Sequence, residues 1–269
     1  MTSSDNSPVP SYPDLLRLDG KGFVVVGAGQ GMGRQTSHAL VQCGARVVCV
    51  DIDGDRAAEI AEEVGGTPWS GDATARADVE GLLEASVNAL GQVYGLVDII
   101  GMAEWGFIVD MDDGVWDRQM AINLRHAYLL GQVFGRHMVA NGEGSMVFIA
   151  SASGMDSAPN HAAYGAAKAG LMAWVKSMAV EMGPHGVRAN AVAPGAIATP
   201  RIMDMLSDSQ RANSSNNAPI GRMGLPADIA GAALFLSSPL ASYVSGRTLL
   251  VDGGVGAKFP YSSLSELDD

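Results

Sequence analysis

Short runs of apolar residues alternate along the chain with longer segments in which apolar positions recur every three or four residues. The short runs predict buried strands, and the longer segments predict helices. Strands are predicted at 23–26, 46–50, 67–70, 96–100, 145–149, 187–192 and 248–251. Helices are predicted at 32–42, 56–64, 76–90, 116–139, 161–182 and 227–236.

Strands that are apolar on both faces and are separated by helices of ten or more residues indicate βαβ units. The predicted fold is therefore a single α/β domain of the doubly wound type over 20–254, with about seven parallel strands and helices on both faces. We expect a flexible arm at 1–19, a substrate lid at 199–220 and a tail at 255–269, because these segments break the alternation.

Composition supports a large core and narrows the possible partners. Hydrophobic residues make up 47% of the 269 residues and charged residues 17%, as in a chain that buries an extensive interior. The net charge of −12 disfavours binding to a phosphate backbone, so no nucleic-acid partner is expected. The two cysteines, Cys43 and Cys49, lie in apolar stretches and are expected to be buried thiols rather than a disulfide.

Targeting and membrane signals are not found in the sequence. The first residues lack the basic and apolar regions of a secretory signal, and no apolar run approaches the roughly 18 residues of a membrane span. The expectation is a cytoplasmic protein with no membrane partner.

Four glycines, Gly27, Gly29, Gly31 and Gly33, follow the first predicted strand and open the first helix. Glycines at this point let the backbone turn tightly and approach a pyrophosphate, which the helix N-terminus attracts. The loop therefore predicts a dinucleotide site. Its cofactor-binding residues are Gly27, Gln30, Gly31, Met32 and Gly33.

The end of the second strand points to the kind of dinucleotide. Asp51 can accept hydrogen bonds from an adenine-ribose hydroxyl and would repel a 2′-phosphate, so with Ile52 it favours NAD over NADP. Capping of the next helix is the alternative role, which Asp53 can fill instead. Asp72 and Ala73 follow the third strand, where Asp72 either meets the adenine or caps a helix.

Tyr164 and Lys168 are four residues apart on a predicted helix and share a face. A Lys ammonium beside a phenol is expected to lower the pKa of the phenol, which can then exchange a proton with an alcohol or carbonyl oxygen. Ser151 follows the fifth strand and can hold the reacting oxygen, although Ser153 is close enough to take that role.

Together these motifs resemble the short-chain dehydrogenase/reductase family over about 20–254. The matching residues are Gly27-x-x-x-Gly31-x-Gly33, Asp72, Asn123, Ser151, Tyr164-x-x-x-Lys168, Asn190-x-x-x-Pro194-Gly195 and Asp252-Gly253-Gly254. The resemblance implies a Rossmann fold and hydride transfer with a Ser–Tyr–Lys centre, in which Asn123 supports a proton relay and Lys168 also binds the nicotinamide ribose. It implies that Pro194, Gly195, Ile197 and Thr199 lie at the nicotinamide, and that the protein is a homotetramer or homodimer packed through its long helices.

Two positions depart from that pattern. Val26 stands where the family usually has Thr, and the fourth strand is expected to end in Gly101-Met102-Ala103-Glu104, where the family has Asn-Asn-Ala-Gly. Glu104 either recognises a cationic substrate group, pairs with an arginine, for which Arg201 is a candidate, or points to water.

Substrate contacts are expected from Glu104, Trp105, Ser153, Met155, His161 and Met203. The apolar members of this set, with Met205 and Leu206, suit an alicyclic, aromatic or steroid-like alcohol. No metal site is expected, because the five histidines are scattered.

The sequence thus predicts an NAD-dependent oxidoreductase that interconverts a secondary alcohol and a ketone, with a small molecule as its partner. One alternative is a 3-oxoacyl thioester reductase, against which Asp51 argues because such enzymes usually use NADP. Another is a non-catalytic dinucleotide sensor, which would not need Tyr164 and Lys168. A third alternative is a methyltransferase, which would not need Ser151, Tyr164 and Lys168 together.

Overall fold

Seven parallel strands form one sheet at the centre of the molecule, described here from a computed structural model that covers residues 7–258. The strand order is β3-β2-β1-β4-β5-β6-β7. The strands are β1 (Gly22–Val26), β2 (Arg46–Asp51), β3 (Thr67–Ser70), β4 (Gly95–Asp98), β5 (Gly144–Ile149), β6 (Val187–Pro194) and β7 (Thr248–Val251). The doubly wound parallel fold predicted from the alternating pattern is confirmed.

Helices cover both faces of this sheet. They are α1 (Gly31–Gln42), α2 (Gly54–Val64), α3 (Arg76–Leu90), α4 (Asp113–Met120), α5 (His126–Asn141), α6 (Ala162–Met182), α7 (Pro200–Met205), α8 (Asp208–Asn217) and α9 (Pro226–Ser237). Alternate residues of β1 point to opposite faces, so Val24 and Val26 pack with α3, α5 and α6, while Phe23 and Val25 pack with α1, α2 and α9.

Among the differences between predicted and observed element boundaries, three concern the helix after β4, the start of α2 and the end of β4. The helix predicted at 116–139 is divided by a π-helical turn, Ala121–Arg125, which joins α4 to α5. The helix predicted at 56–64 begins two residues earlier, because the Asp53 carboxylate accepts hydrogen bonds from the N–H groups of its first turn. The fourth strand ends at Asp98 and not at Ile100, since the Ile99 N–H makes the last backbone hydrogen bond to β1, with the Val26 carbonyl.

The predicted lid segment is folded. It contains α7, which begins with Thr199 as its N-cap and Pro200 in the first turn, and α8, which begins with a capping box of Ser207 and Gln210. Its role as a lid remains a prediction.

The predicted arm and tail are only partly described. Asp14–Leu16 form a short 3-10 turn and Leu18 is buried in the core, so the last residues of the predicted arm pack on the domain. A 3-10 turn, Val255–Ala257, begins the predicted tail. Residues 1–6 and 259–269 lie outside the described part of the chain. Within residues 7–258, no helix is long and apolar enough to cross a membrane.

Both cysteines are free thiols, but only one is buried as expected. Cys49 is buried in β2, and burial raises the pKa of its thiol to about 11. Cys43 is half-buried where α1 ends.

Candidate active site

The site lies where the strand order reverses, because β1 is followed in space by β2 on one side and by β4 on the other. In sheets of this kind, ligands bind at the carboxyl ends of the strands beside such a reversal. The glycine-rich loop after β1, Asp51 at the end of β2 and Ser151 just after β5 all belong to this edge.

The glycine-rich loop forms a backbone cradle at the start of α1. Gly27 and Gly31 adopt positive φ angles of 85° and 56°, which glycine accepts without strain. A Cβ atom on Gly29 would lie 2.6 Å from the Asp51 carboxylate, and one on Gly33 would overlap the Gly27 carbonyl. Gln30, the N-cap, accepts no side-chain hydrogen bond from the first turn of α1, so its side chain leaves the N–H groups of Gly31 and Met32 uncapped. These residues fit the pyrophosphate of a dinucleotide.

Asp51 is held beside this cradle. Its Oδ2 accepts a hydrogen bond from the Gly29 N–H at 3.0 Å, and its Oδ1 accepts one from the Asp53 N–H at 3.1 Å. Asp53 itself caps α2, so the capping role considered for Asp51 belongs to Asp53. Ile52 is 75% exposed next to them and offers an apolar surface.

Asp72 organises the turn after β3. Its Oδ1 accepts hydrogen bonds from the Thr74 N–H at 2.8 Å and the Thr74 hydroxyl at 2.7 Å. Its own N–H donates to Asp78 at 2.8 Å, and Ala73 beside it is buried. The structure therefore gives Asp72 a local turn-forming role, with which a contact to adenine remains compatible.

The segment after β6 approaches the cradle from the other side. A Cβ atom on Gly31 would lie 3.5 Å from the Thr199 side chain, which places the start of α7 against the start of α1. Ile197 is buried and forms an isolated bridge with Gly224. Gly195 packs against the backbone of Asp252, which a side chain at position 195 would displace. Thr199 is thus next to the glycine-rich loop, and Pro194 is the last residue of β6.

Ser151, Tyr164 and Lys168 come together at the same edge. Tyr164 and Lys168 lie one turn apart on α6, with the Lys168 Nζ 5.9 Å from the centre of the Tyr164 ring. Lys168 is only 1% exposed and donates hydrogen bonds to the carbonyl groups of Ile149, at 2.7 Å, and Ile100, at 3.0 Å. The ammonium group is thereby fixed between the ends of β5 and β4.

The protonation behaviour of the pair differs from the expectation. Burial raises the pKa of the Tyr164 phenol above its usual value, while a hydrogen bond with Ser151 acts in the opposite direction. Lys168 was expected to lower that pKa, but the hydrogen bond that lowers it comes from Ser151. Burial also lowers the pKa of Lys168 to about 8, an effect that the Asp98 carboxylate opposes.

Asn123 lies in the π-helical turn and is buried. Its Oδ1 accepts a hydrogen bond from the Met102 N–H at 2.9 Å, and its Nδ2 donates to the Met102 carbonyl at 3.0 Å and to Gln119 at 3.1 Å. Asn123 therefore holds the loop after β4 next to Lys168. Wide turns of this type often occur at functional sites.

The loop after β4 requires two corrections. Because β4 ends at Asp98, in register with Val26 of β1, residues 101–104 lie in the loop after the strand and not, as was expected from the sequence, at the strand end. Glu104 pairs with Arg118, at 2.8 Å and 3.3 Å, and not with the candidate Arg201. Since the hydrogen bonds from Arg118 hold the pKa of Glu104 below its usual range, this carboxylate is already paired.

His161 contacts two of the other predicted substrate residues, Ser153 and Trp105. Its Nδ1 lies 3.0 Å from the Ser153 hydroxyl, and its ring contacts Trp105 and Tyr164 edge-on, at centre distances of 4.4 Å and 5.7 Å. Its Nε2 is buried without a hydrogen-bond partner. Trp105 is about half exposed, as is Met155.

An open pocket of about 210 Å³ lies beside this cluster. Ser153, Met155 and His161 line it, whereas Glu104, Trp105 and Met203 do not. Ser151 and Tyr164 are also outside its lining, because the pocket follows a neighbouring face of α6. Met203 lies on α7, which begins at the cradle.

Three residues near the site were missed by sequence reasoning. Arg56, in the first turn of α2, has its Cβ against Gly29 and its guanidinium group 3.4 Å from Asp53. Asp98 and His126 form a fully buried pair at 2.6 Å behind Lys168. Among the described residues, no group of three or more potential ligands is placed to hold a metal ion.

Comparisons with known proteins agree with this geometry. The profile of a family described as enoyl-(acyl carrier protein) reductase matches residues 27–256. Galactitol 2-dehydrogenase (L-tagatose-forming) of Cereibacter sphaeroides is 36% identical over 248 residues, which cover 90% of this chain and 98% of that protein. A 3-oxoacyl-(acyl-carrier-protein) reductase of Thermotoga maritima is 32% identical, covering 89% and 99% respectively.

A solved structure is similar over the same extent. The 7α-hydroxysteroid dehydrogenase complexed with NADH and 7-oxo glycochenodeoxycholic acid superposes with a TM-score of 0.86 at 34% identity. The match covers 91% of this chain and 98% of that one. A sequence relative with the same name, from Escherichia coli K12, is also 34% identical, over 246 residues.

Proposed function

The chain belongs to the short-chain dehydrogenase/reductase family of oxidoreductases, and on that premise we propose that it is an NAD-dependent dehydrogenase acting on an apolar secondary alcohol. The proposed reaction interconverts the alcohol and its ketone. The observation that carries the proposal is the convergence of Ser151, Tyr164 and Lys168 on the sheet edge that also bears the glycine cradle.

The proposed division of roles follows from the contacts. A bound nicotinamide supplies the hydride acceptor or donor. Tyr164 transfers a proton to or from the substrate oxygen, and Ser151, which hydrogen-bonds to the phenol, orients that oxygen. In the reducing direction the phenol acts as the donor. Because burial raises the pKa of Tyr164, the protonated form that this direction needs predominates at neutral pH.

Lys168 and Asn123 support this exchange. Lys168 has two of its three N–H donors fixed by the Ile149 and Ile100 carbonyls, so one donor remains for the ribose or the phenol. Asn123 fixes the Met102 peptide on the other side of Lys168, and we propose that it continues the proton relay.

NAD is the proposed cofactor because of Asp51. Its carboxylate lies at the cradle, where the adenine ribose of a dinucleotide is bound in folds of this type. Arg56 also lies beside Gly29, but it pairs with Asp53, and among the described residues no salt bridge neutralises Asp51. The NADH-bound relative is consistent with that choice.

An alicyclic, aromatic or steroid-like substrate is proposed from the site entrance. Trp105 and Met155 expose apolar surface beside the half-buried His161, and Met203 lies on the helix that starts at the cradle. The steroid-bound relative supports this class, whereas the polyol dehydrogenase among the relatives makes sugars the natural competitor.

A substrate panel tests the proposal. The purified protein is incubated with NAD and a cyclic alcohol, a hydroxysteroid, a polyol or a 3-hydroxyacyl thioester, and the appearance of NADH absorbance is followed. We expect the highest kcat/KM with the cyclic or steroid alcohol. Preference for the polyol or the thioester would overturn the substrate class, and no NADH from any alcohol would overturn the enzyme assignment.

A further inference from the structure

A buried chain of polar contacts runs from α5 to Lys168. The His126 Nδ1 lies 2.6 Å from the Asp98 Oδ2, and both side chains are fully buried. The Asp98 Oδ1 accepts a hydrogen bond from the Ile100 N–H at 3.1 Å. The carbonyl of the same residue, Ile100, accepts the 3.0 Å hydrogen bond from Lys168.

We propose that Asp98 and His126 are positioning residues of the active site, which hold the Ile100 peptide where its carbonyl group fixes the Lys168 ammonium. The proposal deepens the function proposed above, because it concerns the geometry of the same lysine. Neither residue touches the reacting atoms, so both act through Ile100 and through charge.

The local fold makes this assignment specific. Asp98 ends β4, and the Ile99 N–H still donates to the Val26 carbonyl of β1 at 2.8 Å, but Ile100 and Gly101 follow without strand pairing. A segment without ladder hydrogen bonds needs other groups to fix it. Asp98 supplies one such group, and a side chain at Gly101 would lie 2.7 Å from the Lys168 Nζ, so the loop must approach Lys168 closely.

Hydrogen bonding identifies the form of His126 that suits this role. With a proton on Nδ1, the ring donates to Asp98 and leaves Nε2 as a bare lone pair, for which the structure shows no partner. A doubly protonated ring would bury an N–H group without an acceptor, which is costly. The arrangement with the proton on Nδ1 is therefore assigned, in which His126 donates its hydrogen bond to the Asp98 carboxylate.

The surroundings leave Lys168 as the cation that faces Asp98. Val26 of β1 and Phe148 of β5 stand beside Asp98 in the sheet register and are apolar, while α5 contributes His126 and α6 contributes Lys168. Burial lowers the pKa of Lys168 to about 8 and Asp98 opposes this shift. A neutral side chain at position 98 would no longer raise the pKa of Lys168 against the effect of burial.

Titration of Lys168 in the protein without substrate or dinucleotide tests the electrostatic part. The chain has only four lysines, Lys21, Lys168, Lys176 and Lys258, so ¹³C-ε-labelled lysine gives a simple NMR spectrum. Asp98→Asn keeps the shape and an acceptor oxygen but removes the charge. We expect the Lys168 pKa to fall by about one unit in this variant, while exposed Lys176 on the same helix stays unchanged. An unchanged Lys168 titration in a folded variant would overturn the electrostatic role.

Two substitutions of His126 test the positioning part. Asn places its Nδ2 close to the position of the imidazole Nδ1, so His126→Asn keeps a donor to Asp98, whereas His126→Leu removes it. We expect the Leu variant to weaken dinucleotide binding about tenfold and the Asn variant to restore most of the affinity, measured by calorimetry. Equal affinities of the two variants, with folding confirmed by circular dichroism, would overturn the positioning role.

The two experiments separate this inference from the proposed function. The NMR titration needs neither substrate nor cofactor and reports on the Lys168 environment alone. A shifted Lys168 pKa in a protein that oxidises no alcohol would support the positioning pair and overturn the dehydrogenase proposal. An unchanged Lys168 pKa in an Asp98→Asn variant that still oxidises the alcohol would overturn the positioning pair and support the dehydrogenase proposal.

Discussion

Lys168 shows how a single buried cation depends on its environment. The side chain is 1% exposed, yet two carbonyl groups accept hydrogen bonds from its ammonium and a carboxylate lies behind it. These contacts offset only part of the desolvation, so the pKa stays well below that of a lysine in water. The residue is therefore poised to lose its proton slightly above neutral pH.

Replacing Tyr164 by Phe should nearly abolish turnover. The phenol supplies the proton in the proposed mechanism, and groups of this kind contribute about 10²–10⁴-fold to the rate. NAD affinity, measured by calorimetry, should be largely retained. Tyr243→Phe serves as the matched control, because that side chain is fully exposed. Full activity of Tyr164→Phe would contradict the proton-transfer role.

Replacing Lys168 by Met should weaken NAD binding as well as turnover, since the ammonium is assigned to the ribose and to the phenol. Calorimetry with NAD measures the first effect and steady-state kinetics the second. Unchanged NAD affinity in the variant would show that the ribose contact is wrong.

The same substitution should alter the pH dependence of stability. The folded pKa of Lys168 is about 8, below the value of about 10.5 expected in the unfolded chain. Between these pH values the unfolded chain binds more protons, so the contribution of Lys168 to the free energy of unfolding rises with pH. The free energy of unfolding is measured by urea titration at pH 7.5 and 9.5. Between these pH values it should rise less, or fall more, in Lys168→Met than in the parent protein. Identical pH dependence would mean that the lysine titrates normally.

Cofactor choice should depend on Asp51. Two like charges about 4 Å apart repel by around 4 kcal/mol at an effective dielectric constant of 20, and solvent reduces this figure. We expect kcat/KM to favour NAD over NADP by at least about tenfold, and Asp51→Ala to remove most of this preference, chiefly by weakening NAD use. Adding Ile52→Arg should then favour NADP, because a guanidinium binds phosphate bidentately.

Arg56→Ala provides the control for that experiment. This arginine lies with Asp51 beside Gly29 but is paired with Asp53, so its removal should leave the NAD preference in place. Equal or better use of NADP by the parent protein would show that Asp51 does not control the choice.

At the level of helices and strands, the hydrophobic pattern determines much of what the structure shows. Strands with apolar runs buried on both faces, such as 23–26 and 47–50, are predicted from the sequence to within one residue of their bounds. The π-helical turn was not predictable, because one extra residue in a wide turn leaves the apolar spacing of the flanking helices almost unchanged.

Contacts between residues that are far apart in the sequence could not be predicted either. Asp98 and His126 are 28 positions apart and Glu104 and Arg118 are 14 apart, so sequence spacing alone could not pair them. By contrast, the Tyr164–Lys168 arrangement was predictable because both residues lie on one helix.

The packing of α1 against β1 should depend on Gly33. A Cβ atom there would overlap the Gly27 carbonyl, and backbone cannot move away as a flexible side chain could. We expect Gly33→Ala to lower the free energy of unfolding by about 3 kcal/mol, measured by urea titration. Gly231→Ala in α9 is the matched change, since nothing lies within 4 Å of its added Cβ; a gain of about 0.5–1 kcal/mol is expected there. Similar effects of the two substitutions on the free energy of unfolding would contradict the close approach of Gly33 to the Gly27 carbonyl.

For the whole molecule, association through the long helices remains our prediction. The outer surface of α4, α5 and α6 carries Trp116, Tyr128 and Val180, which are 45%, 37% and 75% exposed. Apolar side chains grouped on neighbouring helices are typical of an interface between copies. We therefore expect a homotetramer or homodimer.

Light scattering coupled to size-exclusion chromatography tests this expectation. Val180→Glu should shift the protein to a smaller species, because it places a charge in the predicted interface. Val109→Glu is the matched control, since Val109 is equally exposed but lies in a 3-10 turn and not on α4, α5 or α6. A monomeric parent, or an equal response to the two substitutions, would contradict the predicted interface.

The strand order also decides where the protein is open to aggregation. A sheet has two borders at which a foreign strand can add, here β3 and β7. β3 has only four residues and includes Pro68, which has no N–H group to donate to an incoming strand. β7, which is as short, contains no proline and exposes Leu249. Unwanted growth of the sheet is therefore discouraged on the side of the dinucleotide-binding half, and the β7 border is where partly unfolded chains would adhere first.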